Sequence, residues 1–307
     1  MKIVFLGTPE FATTSLKAIH ESGHTVVGVV TAPDKPAGRG QQMHMSDVKK
    51  YALEHGLPLL QPEKLRDEQF LIELKNLNAD IFVVVAFRML PKVVWNMPKL
   101  GTVNLHGSLL PNYRGAAPIQ WAVINGETST GCTVFQLTHE IDTGDILKRE
   151  EMEIEANETA GELYARMMHA GAKLLVEALN EIELGKIEPV NQNSVLPTEL
   201  KSAPKLQKEH GRINPNLSPE AINNLVRGVT PFPGAFTTVQ GKVLKVHAGK
   251  PLIEQHNCIK GEFVSDGKTV LKIAVDGGFY ELTEVQLEGK KRMQVEEFLR
   301  GNSNLFS

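Results

Sequence analysis

Cysteine is nearly absent from this chain: Cys132 and Cys258 are the two in 307 residues. Two thiols so far apart exclude a disulfide framework and a cysteine-based metal cluster. They fit a reducing compartment, so a cytoplasmic protein is expected. Long apolar runs are missing as well. None approaches the roughly 20 residues that cross a bilayer, and the apolar part of the opening MKIVFLGTPEF is too short for a signal peptide. No membrane partner is expected. A formal charge of −3 argues against indiscriminate coating of nucleic acid or membrane. There is no H-E-x-x-H and no C-x-x-C, so no metal is expected. The spacing G-x-G-x-x-G is absent, which leaves a dinucleotide site weakly supported. No repeat or low-complexity tract occurs.

What is present is organised in two parts. Short β-rich runs at 2–7, 25–31, 80–87, 102–106 and 131–137 alternate with helical patterns at 10–22, 46–55, 66–76 and 116–124. Runs such as DIFVVVAF are almost continuously apolar, as in strands covered on both faces. This alternation predicts an α/β fold with a doubly wound, mostly parallel sheet. A long helix over 158–184 follows, then a polar, proline-containing passage at 188–206 that reads as a linker. Beyond it come a helix near 218–228 and short β runs (AFTTVQ, KVLKVHA, TVLKIAV, GFYELTEVQ) that suggest a small barrel or sandwich. Charge divides the same way. Residues 1–200 carry 18 Lys and Arg against 25 Asp and Glu, whereas residues 201–307 carry 15 against 11. A basic C-terminal third on an acidic body suggests an anionic partner for that third.

The chemistry concentrates in TVNLHGSLLPNYRGAAPIQWAVING, residues 102–126. Strand side chains alternate faces, so Asn104 and His106 point the same way about 6–7 Å apart, while Leu105 points into packing. Ligands of open α/β sheets bind at the carboxyl ends of strands, and the loop HGSLLP turns away from that end. Its backbone groups could hold a flat heterocycle by its edges. Asp142, in the turn HEIDTGDIL, can lean over the same edge. An amide, an imidazole and a carboxylate can divide acyl transfer between them: the amide stabilises an oxyanion, the imidazole moves a proton, and the carboxylate orients the imidazole. Taken singly, each has a plainer explanation. Asn-x-His can be a mutually satisfied pair, and Asp142 can be a turn residue. An aspartic-protease reading of DTG would need a second copy, which is not there.

Together, NLHGSLLP (104–111), YRGAAPIQ (113–120) and IDTGDIL (141–147) resemble the 10-formyltetrahydrofolate-dependent formyltransferases. The resemblance runs from FLGTPEFA at the start into the C-terminal region. The segments GTPEFA, PDKPAGRG and YRGAAPIQ narrow it to members that act on a charged initiator tRNA. It implies a Rossmann-like, folate-binding catalytic domain over 1–187, a linker over 188–206 and an OB-like, tRNA-binding barrel over 207–307. It implies 10-formyltetrahydrofolate as co-substrate, with Ser108, Leu109, Leu110, Pro111, Phe87 and Leu90 around it, and Asn104, His106 and Asp142 as catalytic residues. Lys35 and Arg39, in the segment TAPDKPAGRGQQMH, would meet the methionyl initiator tRNA, and a monomer is expected. The family's other acceptors, water in a hydrolase or a small-molecule amine, remain the alternatives. Three departures stand out: Gln41 and Gln42 where the family often has lysines, Arg88 where it more often has glycine, and RINPNLS without a common tryptophan.

Overall fold

The computed structural model describes residues 1–37 and 42–306. The chain begins with β1 (Lys2–Gly7), α1 (Glu10–His20), β2 (Thr25–Val30), the short strands β3 (Lys35–Ala37) and β4 (Gln42–His44), α2 (Asp47–Glu54), β5 (Leu59–Leu60) and α3 (Glu68–Asn76). It continues with β6 (Ile81–Val85), α4 (Lys92–Trp95), β7 (Thr102–His106), β8 (Arg114–Gly115), α5 (Pro118–Ile124), β9 (Ser129–Gln136), β10 (Ile146–Glu153) and α6 (Ala160–Glu183). The chain divides into two compact units. One comprises Met1–Gly115, Gly131–Met152 and Ala165–Ser202; the other comprises Ala116–Thr130, Glu153–Tyr164 and Ala203–Ser307.

Seven strands form the main sheet, in the order β10-β9-β7-β6-β1-β2-β5. The pairs β1–β2, β1–β6, β2–β5 and β6–β7 are parallel, and β7–β9 is antiparallel. The parallel core matches the sequence expectation and its cause is visible in burial. Ile3 to Leu6 and Ile81 to Val85 are almost entirely inaccessible, as strands covered on both faces must be. The order reverses at β1, with β2 and β5 on one side and β6 and β7 on the other. That is a switch point, where the carboxyl ends of neighbouring strands open a crevice.

Helix starts follow capping chemistry. Ser46 accepts from the Lys49 N–H before α2, and Asp67 accepts from the Phe70 N–H before α3. The helices read from periodicity are found with ends shifted by one or two residues, as at Glu10–His20 for 10–22. The sequence pattern gives no sign of β10. Its segment ILKREEME has an exposed, charged central stretch, because an edge strand needs no alternating apolar face.

The remaining elements are β11 (Ser202–Ala203), α7 (Pro219–Gly228), β12 (Ala235–Val239), β13 (Lys242–Leu252), β14 (Phe263–Ser265), β15 (Leu271–Val275), β16 (Gly278–Leu287), β17 (Met293–Gln294) and α8 (Val295–Asn302). Strands β12-β13-β16-β15-β14 make a curled antiparallel sheet, a half-barrel, with β17 paired to β16. Register shifts at Val246/Ala248 and Ala248/Gly249 interrupt β13 where it pairs with β16, and bulges of this kind bend a sheet. Its core gathers Ile222, Leu225, Val226, Leu244, Ile273, Tyr280, Val285, Phe298 and Leu299. The barrel-like expectation is met. The terminal helix α8, whose apolar Val295, Phe298 and Leu299 share one short face, is an addition to the sequence expectation.

The passage read as a plain linker, 188–206, is more ordered than that reading. A 3₁₀ turn spans Gln192–Val195, and Gln192 is 1% exposed. Among the described residues no helix is long and apolar enough to cross a membrane.

Candidate active site

All three predicted catalytic residues lie within the first compact unit, and the structure brings two of them face to face. His106 closes β7, where its backbone is paired with Thr133 of β9, while Asn104 lies between Val84 of β6 and Phe135 of β9. Leu105 does point the other way. Gly171 of α6 packs so closely there that a Cβ on it would stand 3.1 Å from both Leu105 Cδ2 and Cys132 Sγ. Apolar packing on that face therefore orients the polar pair on the opposite one.

The His106 ring is 7% exposed and its Nε2 is 2.8 Å from the Tyr113 carbonyl. A carbonyl only accepts, so Nε2 carries the hydrogen and donates it. The other ring nitrogen, Nδ1, is 3.9 Å from Asp142 Oδ2. Nδ1 is thus the position at which His106 can take or release a proton without breaking its bond to Tyr113. Phe135 meets the imidazole edge-on at 6.3 Å between centroids. The Asn104 side chain is half-buried, and its amide hydrogen-bonds no protein group among the described residues. The mutually satisfied Asn–His pair is therefore not what the structure contains. The amide is free to meet a ligand.

Asp142 is held from several directions. Its Oδ2 accepts the Gly115 N–H at 2.9 Å, and its backbone adopts φ +55, a region that L residues other than Asn and Asp rarely enter. The turn closes because Gln136 N–H donates to Asp145 O at 2.9 Å. Gly144 is obligatory there, since a Cβ would lie 1.6 Å from the Gln136 carbonyl oxygen. Gly144→Ala is expected to lower the unfolding free energy by about 2–4 kcal/mol and to displace Asp142. Denaturant melts check this; an unchanged midpoint would show that the turn relaxes without cost.

The loop after His106 is tied by its own groups and by Thr133 of β9 and Arg149 of β10. Ser108 Oγ donates to Asn112 O at 2.7 Å, Thr133 Oγ1 donates to Ser108 O at 2.6 Å, and Leu110 N–H donates to Thr133 Oγ1 at 3.1 Å. Arg149 donates to Leu110 O at 2.9 Å, and the Leu110–Pro111 peptide is cis. Ser108 and Leu110 are fully buried, with Leu110 packed on Phe135 and Ile146. Leu90 is buried in the apolar cluster of β1 and β6, against which Phe87 packs half-exposed. Of the six residues expected around a folate, Leu109 and Phe87 keep partly exposed side chains, and Ser108, Leu110, Pro111 and Leu90 are buried. Arg88 lays its guanidinium 5.6 Å from the Phe87 ring centroid and donates to the carbonyls of Pro62 and Glu63. It is tied to the loop after β5. Lys35 is exposed in β3, opposite His44 of β4, and Arg39, Gly38, Gly40 and Gln41 lie outside the described residues.

One residue of the site escaped sequence reading. Gln192 Nε2 donates to Asp142 O at 2.9 Å and to Gly144 O at 2.7 Å, and its Oε1 accepts from Arg114 Nε at 3.0 Å and Arg114 Nη2 at 2.7 Å. Nothing local in a polar stretch such as EPVNQNSV marks one amide as buried.

An unpaired amide, a buried imidazole and a carboxylate on one sheet edge suit acyl transfer without a nucleophilic side chain. The formyl transferase family model matches residues 1–179, and that of the formyl transferase C-terminal domain matches residues 205–303. The chain belongs to the formyl transferase family. This formyl transferase is 50% identical over 305 residues to the methionyl-tRNA formyltransferase of Flavobacterium johnsoniae, covering 98% of this chain and 96% of the relative. It is 47% identical over 307 residues to that of Bacteroides fragilis, covering 98% and 95%. Among solved structures, a sugar 3N-formyl transferase crystallised with dTDP and 5-N-formyl-THF superposes with a TM-score of 0.67 at 20% identity, covering 95% of this chain and 99% of the other. HypX from Aquifex aeolicus in complex with tetrahydrofolic acid gives 0.62 at 19%, covering 99% of this formyl transferase and 47% of that longer chain. At such identities the likeness is one of fold.

Proposed function

We propose that this formyl transferase moves the formyl group of 10-formyltetrahydrofolate to the free amine of a methionyl initiator tRNA, with Asn104, His106 and Asp142 as the catalytic residues. The observation that carries the reading is an Asn104 amide with no protein partner among the described residues, on the strand face it shares with His106, whose Nδ1 faces Asp142 at 3.9 Å. The near-full-length identity to methionyl-tRNA formyltransferases supports the acceptor.

In this mechanism the methionyl amine attacks the formyl carbon on N10 of the folate. A C–N bond forms, and the carbonyl oxygen becomes an oxyanion. Asn104 N–H₂ stabilises that charge, joined by His106 when Nδ1 carries a proton, and both interactions are stronger in the transition state than in the ground state. Collapse breaks the N10–carbon bond. The proton lost by the amine is returned to N10, with Asp142 and the Nδ1 edge of His106 as the groups that hold it in passage. Phe87, Leu90 and residues 108–111 flank the folate. Residues 1–187 serve catalysis, 188–206 connect, and the basic 207–307 region together with Lys35 and Arg39 meets the tRNA.

Single-turnover transfer of labelled formyl from 10-formyltetrahydrofolate, with and without methionyl initiator tRNA, tests the proposal. Formylmethionyl-tRNA formed only with the charged tRNA supports it. Free formate without tRNA would favour a hydrolase, and no folate consumption would remove the triad reading. Because phosphate neutralisation releases counterions, tRNA affinity is expected to fall steeply between about 50 and 200 mM salt, as read by filter binding. A flat response would count against the basic C-terminal region as the tRNA surface.

A further inference from the structure

We infer that Gln192 is a positioning residue for Asp142, so that a segment resembling a simple tether sets the geometry of the catalytic pair. The inference rests on the reading of His106 and Asp142 given under the proposed function.

A primary amide has two N–H donors and an oxygen with two lone pairs. Gln192 uses all four: its donors go to Asp142 O and Gly144 O, and its oxygen takes two hydrogens of Arg114. The residue is 1% exposed and its bond to Gly144 O is fully buried, away from competing water. The two donors grip the turn that holds Asp142 at φ +55, a conformation that persists only when its surroundings impose it.

The acceptor end matters equally. Arg114 lies between Tyr113, whose carbonyl takes the His106 Nε2 hydrogen, and Gly115, whose N–H is received by Asp142 Oδ2. Gln192 therefore joins the strand that orients the imidazole to the turn that carries the carboxylate. The 3.9 Å separation of Nδ1 and Oδ2 is held by this amide, which fixes the turn, together with the Gly115 N–H, which fixes the carboxylate. Asn191 adds a lateral tie, donating to Asp145 Oδ1 at 2.8 Å. No other uncharged side chain of this length offers both donors and acceptor; glutamate keeps the shape and the link to Arg114 but loses both donors to the turn.

The test compares Gln192→Glu, Asp142→Asn and the double variant in the single-turnover assay, well below each variant's melting midpoint. Gln192→Glu is expected to lower kcat about 10- to 100-fold, as misplacement by an ångström does, with KM for the formyl donor and for tRNA changed less than about twofold. The double variant should be no slower than Asp142→Asn alone within about twofold, because residues acting through one another are non-additive. If Gln192→Glu folds poorly, Arg114→Lys frees the Gln192 oxygen but leaves both donors, and a smaller loss confined to kcat is expected. A raised KM with kcat intact, or losses that multiply in the double variant, would overturn the inference. Normal turnover by Gln192→Glu beside a crippled Asp142→Asn would defeat this inference alone. Normal turnover by Asp142→Asn would instead defeat the reading of the site on which it rests.

Discussion

Replacing His106 by alanine is expected to lower kcat about 10³-fold, in the range general acid–base groups contribute and equal to roughly 4 kcal/mol of barrier. The reason lies in how the ring is held. Nε2 is committed to the Tyr113 carbonyl, so Nδ1 is the position left for proton exchange, and it faces Asp142. Alanine removes that nitrogen and leaves the Tyr113 carbonyl without its imidazole donor, costing about 1–3 kcal/mol of stability. His106→Gln separates the two effects, since its amide can still donate toward Tyr113 O but has no proton to exchange near neutral pH. Both variants should be slow in the single-turnover assay, and His106→Gln should melt closer to the unaltered protein. Turnover within about tenfold of normal in both, well below the scale of general acid–base catalysis, would remove His106 from the chemistry.

Asp142→Asn should cost at least about 10²-fold in kcat while leaving the fold intact. An asparagine oxygen can still accept the Gly115 N–H now received by Oδ2 at 2.9 Å, and asparagine tolerates the φ +55 backbone. What disappears is the negative charge opposite Nδ1. The substitution therefore isolates electrostatics from geometry, which Gly144→Ala does not. A variant with normal stability and normal turnover would show that the carboxylate serves only to close its turn.

The parallel sheet was legible because buried strands announce themselves: IFVVV and KIVFLG have no polar face to offer water. The shared face of Asn104 and His106 followed from the two-residue period of a strand, and Leu105 against Gly171 shows the other half of the alternation. β10 was illegible for the converse reason. A solvated edge carries REEME as readily as a loop does. The terminal helix α8 is a single short amphipathic stretch whose apolar face has meaning only against the half-barrel it covers.

The sequence by itself determined the mostly parallel sheet, the antiparallel sheet of the C-terminal part and the shared face of Asn104 and His106, since these depend on local periodicity. Tertiary structure alone decided which ring nitrogen of His106 faces Asp142, that Asn104 has no protein partner among the described residues and that Gln192 links Arg114 to the Asp142 turn. Those facts depend on hydrogen bonds between residues as far apart as 114 and 192. A buried amide is identical in sequence to an exposed one; only the fold removes water and leaves it a single set of partners.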